Sequence, residues 1–203
     1  MSFIFLLTIS LVQFNYNNIY AINQKNDNQK RQIEICCTWG NKIADGILIY
    51  EINNAKPELT ELVISALNYW EQNIKVIEFK QAGSKDQADI KISFRNDNGK
   101  VPGQTITNFD SNGFIFNTHV LLAEKAFGKQ LNKKMIEYIA KHEIGHALGL
   151  GHANFNESIM SSLVYHYYNE ISDCERDAFI ETNKWKLIEN SIPKINEIKT
   201  YFC

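Results

Sequence analysis

The chain has 203 residues, of which 44% are hydrophobic and 22% are charged. This length and composition are typical of one globular domain and exclude a disordered chain. The formal net charge is −2 and no basic run occurs, so we expect no nucleic-acid partner, and we expect a monomer.

The first 21 residues differ from the rest. An apolar run from Phe3 to Phe14 is too short to span a bilayer comfortably but fits the core of a secretory signal, and Ala21 is a small residue suited to cleavage. We therefore predict a signal peptide over 1–21 and a secreted protein. The alternatives are an N-terminal strand or an uncleaved membrane anchor through residues 3–14, the only case in which we expect membrane association. Residues 22–37 form a polar lead-in.

The four cysteines are Cys36, Cys37, Cys174 and Cys203. An even number of cysteines in an exported chain permits two disulfides, and the sequence cannot rank the three pairings. Because a bridge between adjacent residues is strained, we expect Cys36 and Cys37 to bond to Cys174 and Cys203.

The spacing of apolar residues in the first half of the chain predicts a sheet and one helix near its start. The helix begins at Pro57 and runs to Trp70, with apolar residues at helical spacing. Alternating or continuous apolar segments predict strands before and after it. Helices follow the sheet, which indicates an α+β fold. The predicted strands are 47–52, 75–80, 88–94, 104–109 and 113–122.

A second helix is predicted from Lys133 to Gly149, with Asn132 as its cap. Its inward stripe includes histidines and a glutamate, whereas three charged residues on the opposite side are expected to face water. The stripe is formed by Met135, Ile139, His142, Glu143 and His146, and the water-facing residues are Lys134, Glu137 and Lys141.

The histidine spacing predicts a metal site. His142 and His146 lie four residues apart, so their rings project the same way from successive turns. Gly149 can adopt a left-handed conformation, which would let the chain reverse and bring His152 toward the other two rings. Three imidazoles with one open position suit a catalytic zinc, and Glu143 is placed to act as a general base.

The motif H-E-x-x-H-x-x-G-x-x-H at 142–152, followed by Ser158-Ile159-Met160, resembles the zinc signature and Met-turn of the metzincin metallopeptidases. The interval from His152 to Met160 is similar to that of the matrixins. The resemblance covers roughly 38–186 as a catalytic domain, which leaves 187–203 as a C-terminal extension. It implies a zincin fold, with a twisted, mostly parallel five-stranded sheet, a long active-site helix and a C-terminal helix.

By this resemblance the chain is a secreted zinc-dependent endopeptidase. One catalytic zinc would bind His142, His146 and His152, and Glu143 would act as general base toward a zinc-bound water. A protein or peptide substrate would lie extended along the edge strand, near 104–109. The alternative is a zinc-containing binding protein without useful peptidase activity, for which a closed four-ligand site would be evidence.

The resemblance also implies roles outside the histidine motif. Met160 would form a floor beneath the zinc, and Tyr165 would line a substrate pocket unless it packs in the core. A capping box formed by Ser172 and Glu175 would open the last helix. A thiol of Cys36 or Cys37 on the zinc is a less favoured alternative to a disulfide. Structural calcium is an untested addition, because turn chemistry explains the candidate ligands more simply. These candidates are Asp97, Asn98, Asp110 and Asn112.

Overall fold

Strands and three helices form the part of the chain described by the computed structural model, which comprises residues 6–11, 30–96, 99–162, 170–183 and 199–203. The helices are α1 (Pro57–Ile74), α2 (Lys133–Ala147) and α3 (Asp173–Thr182). The strands are β1 (Leu6–Leu11), β2 (Gln32–Ile35), β3 (Ile47–Asn53), β4 (Glu78–Gln81), β5 (Ile90–Arg95), β6 (Gly103–Phe109), β7 (Ile115–Ala123), β8 (Lys125–Ala126), β9 (Lys129–Gln130), β10 (Leu150–Ala153) and β11 (Lys199–Phe202).

The main sheet has the order β1-β6-β7-β5-β3-β4. Strands β7, β5, β3 and β4 pair in parallel, whereas β6 runs antiparallel to β7. These five strands are the mostly parallel sheet that the sequence predicts. The connection from β3 to its parallel neighbour β4 contains α1, as a parallel pair requires a crossover. The predicted α+β fold is confirmed.

Strand β1 adds a sixth strand beyond β6. It pairs antiparallel with β6 from Leu6 opposite Phe109 to Leu11 opposite Gln104. The expectation that β6 is the free edge of the sheet is therefore wrong for the chain that retains these residues. The reason is that the apolar N-terminal segment finds unpaired backbone groups along β6, which any exposed edge strand presents.

A second sheet of three strands has the order β10-β2-β11. Strand β2 lies within the segment assigned to the polar lead-in, and β11 lies within the C-terminal extension. Strands β10 and β11 both pair antiparallel with β2, which lies between them. This sheet places β10, which follows the histidine helix, beside Gln32–Ile35.

Helix α2 passes through the interior, and nearly every residue from Tyr138 to Ala147 is buried. The indole N–H of Trp70 donates to the Lys141 carbonyl at 2.7 Å, and that of Trp39 donates to the Ala147 carbonyl at 3.0 Å. These bonds fix the helix from two sides. A helix covered all round is typical of a core position rather than of a surface.

The expectation that Lys141 faces water is wrong. Its side chain is buried, with the ammonium 3.0 Å from a Glu137 carboxylate oxygen and 4.3 Å from the centre of the Tyr69 ring. Helix α1 packs beside α2 and supplies this ring, so the charged side chain is covered by tertiary contacts. Glu137 remains partly exposed and Lys134 is exposed, as predicted.

The expected disulfide pairing is also wrong. The disulfides join Cys36 to Cys37 and Cys174 to Cys203. Strand β11 pairs with β2, which packs against α3, and this brings Cys203 to the first turn of α3, where Cys174 lies. No cysteine is free, so neither Cys36 nor Cys37 presents a thiol to a metal.

No helix in the described ranges has both the length and the apolar character needed to cross a membrane.

Candidate metal centre

The N-terminal cap of α2 sets the direction of the histidine helix. The side-chain oxygen of Asn132 accepts the Met135 backbone N–H at 2.9 Å, as the sequence predicts. His142 lies ten residues after Asn132, and His146 follows one helical turn later. Their Nε2 atoms lie 3.0 Å apart. Two nitrogens bound to one zinc at about 2.0–2.1 Å in tetrahedral geometry would be roughly 3.3 Å apart, so the pair fits that ion closely.

Gly149 reverses the chain after α2. Its φ angle is +95°, in the region that favours glycine, and a Cβ at this position would lie 2.3 Å from the Cys37 carbonyl oxygen. The reversal leads into β10 and returns His152 to the helix. The ring centre of His152 lies 4.9 Å from that of His146 and 5.6 Å from that of His142. The predicted left-handed glycine and the return of His152 are both observed.

The three histidines form one group whose candidate ligand atoms all lie within 4.8 Å of one another. The Nδ1 atom of His142 is 2.6 Å from the Ile159 carbonyl oxygen, and that of His146 is 2.7 Å from the Leu150 carbonyl oxygen. Because a carbonyl only accepts, each Nδ1 carries the hydrogen and each Nε2 presents its lone pair. The Nε2 atom of His152 is buried without a hydrogen-bond partner. The donor set therefore fits a zinc ion.

Burial keeps these imidazoles neutral. It lowers the pKa of His142 to about 3, with a further lowering from His152 and an opposing effect of the bond to Ile159. Burial and the neighbouring rings hold the pKa of His146 well below its ordinary value, and burial also lowers the pKa of His152. At neutral pH all three are thus in the form that binds a metal.

Glu143 lies beside this group and is completely buried. Its Oε2 atom accepts a hydrogen bond from the Thr105 hydroxyl at 2.7 Å, whereas its Oε1 atom has no partner. Burial raises the pKa of Glu143 to about 8, and the bond from Thr105 opposes that rise. An unpaired oxygen on a buried carboxylate requires a functional explanation or an absent partner.

The Met160 turn lies against the face of α2 between the two helical histidines. A Cβ on Gly145 would lie 2.3 Å from the Met160 sulfur, so only glycine leaves room for this packing. The Met160 backbone N–H donates to the Ser158 hydroxyl at 2.9 Å, and that hydroxyl donates to Glu175. The position of Met160 agrees with the floor that the resemblance implies.

Glu175 also closes the predicted capping box of α3. Its second carboxylate oxygen accepts the Ser172 backbone N–H at 2.9 Å and the Ser172 hydroxyl. The capping-box prediction is confirmed. Glu175 therefore connects the start of α3 to the Met160 turn, a link that the sequence pattern alone did not indicate.

Several other candidates lie elsewhere or outside the described residues. Tyr165, Asp97 and Asn98 belong to ranges that the structure does not describe. One carboxylate oxygen of Asp110 accepts backbone N–H groups from Asn112 and Phe114 at 2.8 and 3.0 Å, as turn chemistry predicts.

Thr105 was not predicted as a neighbour of Glu143. Gly103, where a Cβ would lie 2.6 Å from the Glu143 Oε1 atom, was not predicted as a neighbour either. No local signal marks this contact, because 38 residues separate Thr105 from Glu143.

The histidine group, the reversing glycine and the Met160 turn on an α+β scaffold define a metzincin-type domain. The family model named matrixin matches residues 38–178, and the chain belongs to the matrixin family of peptidases. The family implies a catalytic zinc, and the three histidines are the residues in place for it.

Two individual proteins are similar to parts of this chain. Matrix metalloproteinase-B of Caenorhabditis elegans is 30% identical over 133 residues, which cover 53% of this chain and 25% of that protein. The chain thus spans about a quarter of that relative's length. The crystal structure of archaemetzincin from Methanopyrus kandleri has a TM-score of 0.44 and 12% identity, covering 68% of this chain and 95% of that chain.

Proposed function

We propose that the chain is a secreted zinc-dependent endopeptidase. The observation that carries the proposal is the convergence of three neutral imidazoles beside Glu143, whose Oε1 atom is buried and unpaired. Three protein ligands are the number that a catalytic zinc uses, because the remaining position is left for water or substrate. The matrixin family supports the same chemistry.

The residues of the site take distinct roles in this proposal. The Nε2 atoms of His142, His146 and His152 would hold the zinc, which when bound supplies Lewis-acid polarisation of the scissile carbonyl and acidifies water. Glu143 accepts a proton from the attacking water at Oε1, the oxygen without a hydrogen-bond partner. It then delivers that proton to the amine nitrogen of the leaving peptide.

We propose that a protein or peptide substrate binds as an extended strand along β6. The pairing of β1 supports this, because residues Leu6–Leu11 form an antiparallel ladder along that side of the strand. A substrate would use the same backbone groups of β6 in the same direction. The face of β6 that carries Thr105 lies against Glu143, so the ladder is next to the catalytic residues.

Hydrolysis of casein by purified, zinc-loaded protein tests the activity. We expect cleavage that stops when a zinc chelator is added and returns with added zinc. Glu143→Ala should be inactive, whereas Lys134→Gln on the exposed side of the same helix should retain most activity. A folded, zinc-loaded chain that cleaves neither casein nor a peptide library would instead favour the zinc-binding protein without useful peptidase activity.

Truncation tests the proposed substrate strand. A protein that starts at Ile22 lacks β1 and should cleave casein faster than the full chain, because the β6 ladder is then available. Equal rates would contradict the pairing of substrate with that side of β6.

The secreted form is tested separately. N-terminal sequencing of the mature protein from culture medium should find a start near Ile22. Retention of residues 3–14 in a membrane fraction would favour the anchor.

A further inference from the structure

Strand β6 contacts the Glu143 carboxylate at two positions. Gly103 and Thr105 alternate with Gln104 along the strand, so they lie on the same face, and both are buried. Thr105 supplies the hydroxyl bonded to Oε2. Gly103 supplies space, because a Cβ there would lie 2.6 Å from Oε1 and 2.5 Å from a methyl group of Ile139.

The Thr105 hydroxyl has two acceptors on one residue. It lies 2.7 Å from the Glu143 Oε2 atom and 2.9 Å from the Glu143 backbone carbonyl oxygen. A hydroxyl has one hydrogen, and a carboxylate forms the stronger bond of the two. Thr105 is only 1% exposed, so water does not compete for this hydroxyl. A β-branched side chain is also stiff, which fixes the hydroxyl in place.

These contacts distinguish the two oxygens of one carboxylate. Oε2 is held by Thr105, whereas Oε1 is left without a partner in a fully buried site. Without the hydroxyl the carboxylate could rotate, since the terminal torsion of glutamate is broad. The oxygen that must receive a proton would then occupy its productive position for only part of the time.

We propose that Thr105 is a positioning residue for Glu143, holding Oε2 so that Oε1 faces the reacting water, with Gly103 leaving room for that orientation. The inference rests on the proposed peptidase function. It assigns to β6 a role on its inward face that is separate from substrate pairing along its side.

Three variants test the role of the hydroxyl. Thr105→Val removes it with little change of shape, Thr105→Ser retains it, and Thr118→Val removes a similarly buried hydroxyl, one without a hydrogen-bond partner, on the neighbouring strand β7. We expect Thr105→Val to lower kcat roughly 10- to 100-fold, the effect of losing one bond to a charged group, with KM nearly unchanged. Thr105→Ser and Thr118→Val should stay within about threefold of the wild type, and all should retain one zinc.

A second readout does not depend on activity. In protein labelled with ¹³C at the glutamate carboxyl carbons, the Glu143 resonance is identified by its loss in Glu143→Gln. It should shift in Thr105→Val and remain in place in Thr118→Val. An unshifted resonance, or a kcat equal to that of the wild type, would overturn the proposal, as would a Thr105→Ser variant as slow as Thr105→Val.

The two readouts also separate this inference from the proposed function. If the wild type proves inactive, the peptidase proposal fails, and the carboxyl resonance alone decides whether Thr105 holds Glu143. If the wild type is active and Glu143→Gln is not, an unshifted resonance in Thr105→Val overturns the role of Thr105 and leaves the peptidase intact.

Discussion

Among the residues that the structure describes, two glutamates are completely buried, and their surroundings differ. Glu175 accepts hydrogen bonds from the Ser158 hydroxyl and from both the backbone N–H and the hydroxyl of Ser172. Glu143 accepts only from the Thr105 hydroxyl, and its Oε1 atom has no partner. Both carboxylates lie close to the Met160 turn or the histidine group, yet only one is fully satisfied.

The difference indicates separate roles. A buried carboxylate is destabilising unless donors surround it, so the satisfied Glu175 is suited to hold structure. It joins the first turn of α3 to the turn that carries Met160. The incompletely bonded Glu143 is tolerated in the fold beside the candidate zinc ligands, where a free oxygen can take part in proton transfer.

The largest expected effect is on the catalytic rate and concerns Glu143. Glu143→Gln should lower kcat on the order of 10³-fold while the protein stays folded and binds zinc, because an amide cannot act as a general base. Single-turnover cleavage of a fluorogenic peptide and zinc analysis of the same sample would measure both. A Glu143→Gln variant as fast as the wild type would end the comparison, because Glu143 would then have no chemical role.

The next effect is on stability and concerns Glu175. Glu175→Ala should lower the free energy of unfolding by about 3 kcal/mol, because it leaves several buried donors without an acceptor. Glu181→Ala, at an exposed position of the same helix, should change it by less than about 0.5 kcal/mol. Urea titration measures both variants. Equal losses in the two would show that the Glu175 bonds contribute little.

A smaller effect depends on pH and isolates Glu143 in chelated, metal-free protein. Burial raises its folded pKa to about 8 from 4.5, so the folded state holds a proton that the unfolded chain has released. The wild type should therefore lose stability as pH rises from 4.5 to 8, relative to Glu143→Gln, which does not ionise. The gap should widen by roughly 2 kcal/mol between pH 6 and 8 in urea titrations. A gap independent of pH would contradict the burial effect.

The smallest expected effect tests the cap that supports Glu175. Ser172→Ala removes a side-chain donor but leaves the backbone N–H bond, so we expect a loss of about 1 kcal/mol in the free energy of unfolding. Thermal unfolding of this variant beside Glu175→Ala would rank the two contributions. A loss equal to that of Glu175→Ala would assign the stabilisation to the hydroxyl rather than to the carboxylate.

Sequence periodicity predicted the elements well, because it reports which face of each element is apolar. Helix α2 was expected from Lys133 and begins there, and the strand expected at 104–109 spans Gly103–Phe109. The histidine spacing predicted the ligand set, the resemblance agreed with it, and the geometry brings His142, His146 and His152 together. Local patterns suffice here because the motif lies within one helix and one turn.

Contacts between distant segments were not predictable in the same way. Periodicity places Lys141 on a polar face but contains no information on the Tyr69 ring that covers it. Disulfide pairing depends on how strands bring cysteines together, and β11 was not foreseen beside β2. The bond from Thr105 to Glu143 likewise arises from packing between β6 and α2.

The burial of α2 from Tyr138 to Ala147 has a consequence for the motions of the site. Backbone amides in such a buried segment exchange with solvent hydrogen only when large parts of a domain open, so we expect the amides around His142 and His146 to be among the slowest to exchange. His152, in contrast, is partly exposed on a four-residue strand. Any adjustment of the histidine group to a metal or a substrate therefore takes place on the His152 side, while the helix acts as the fixed reference.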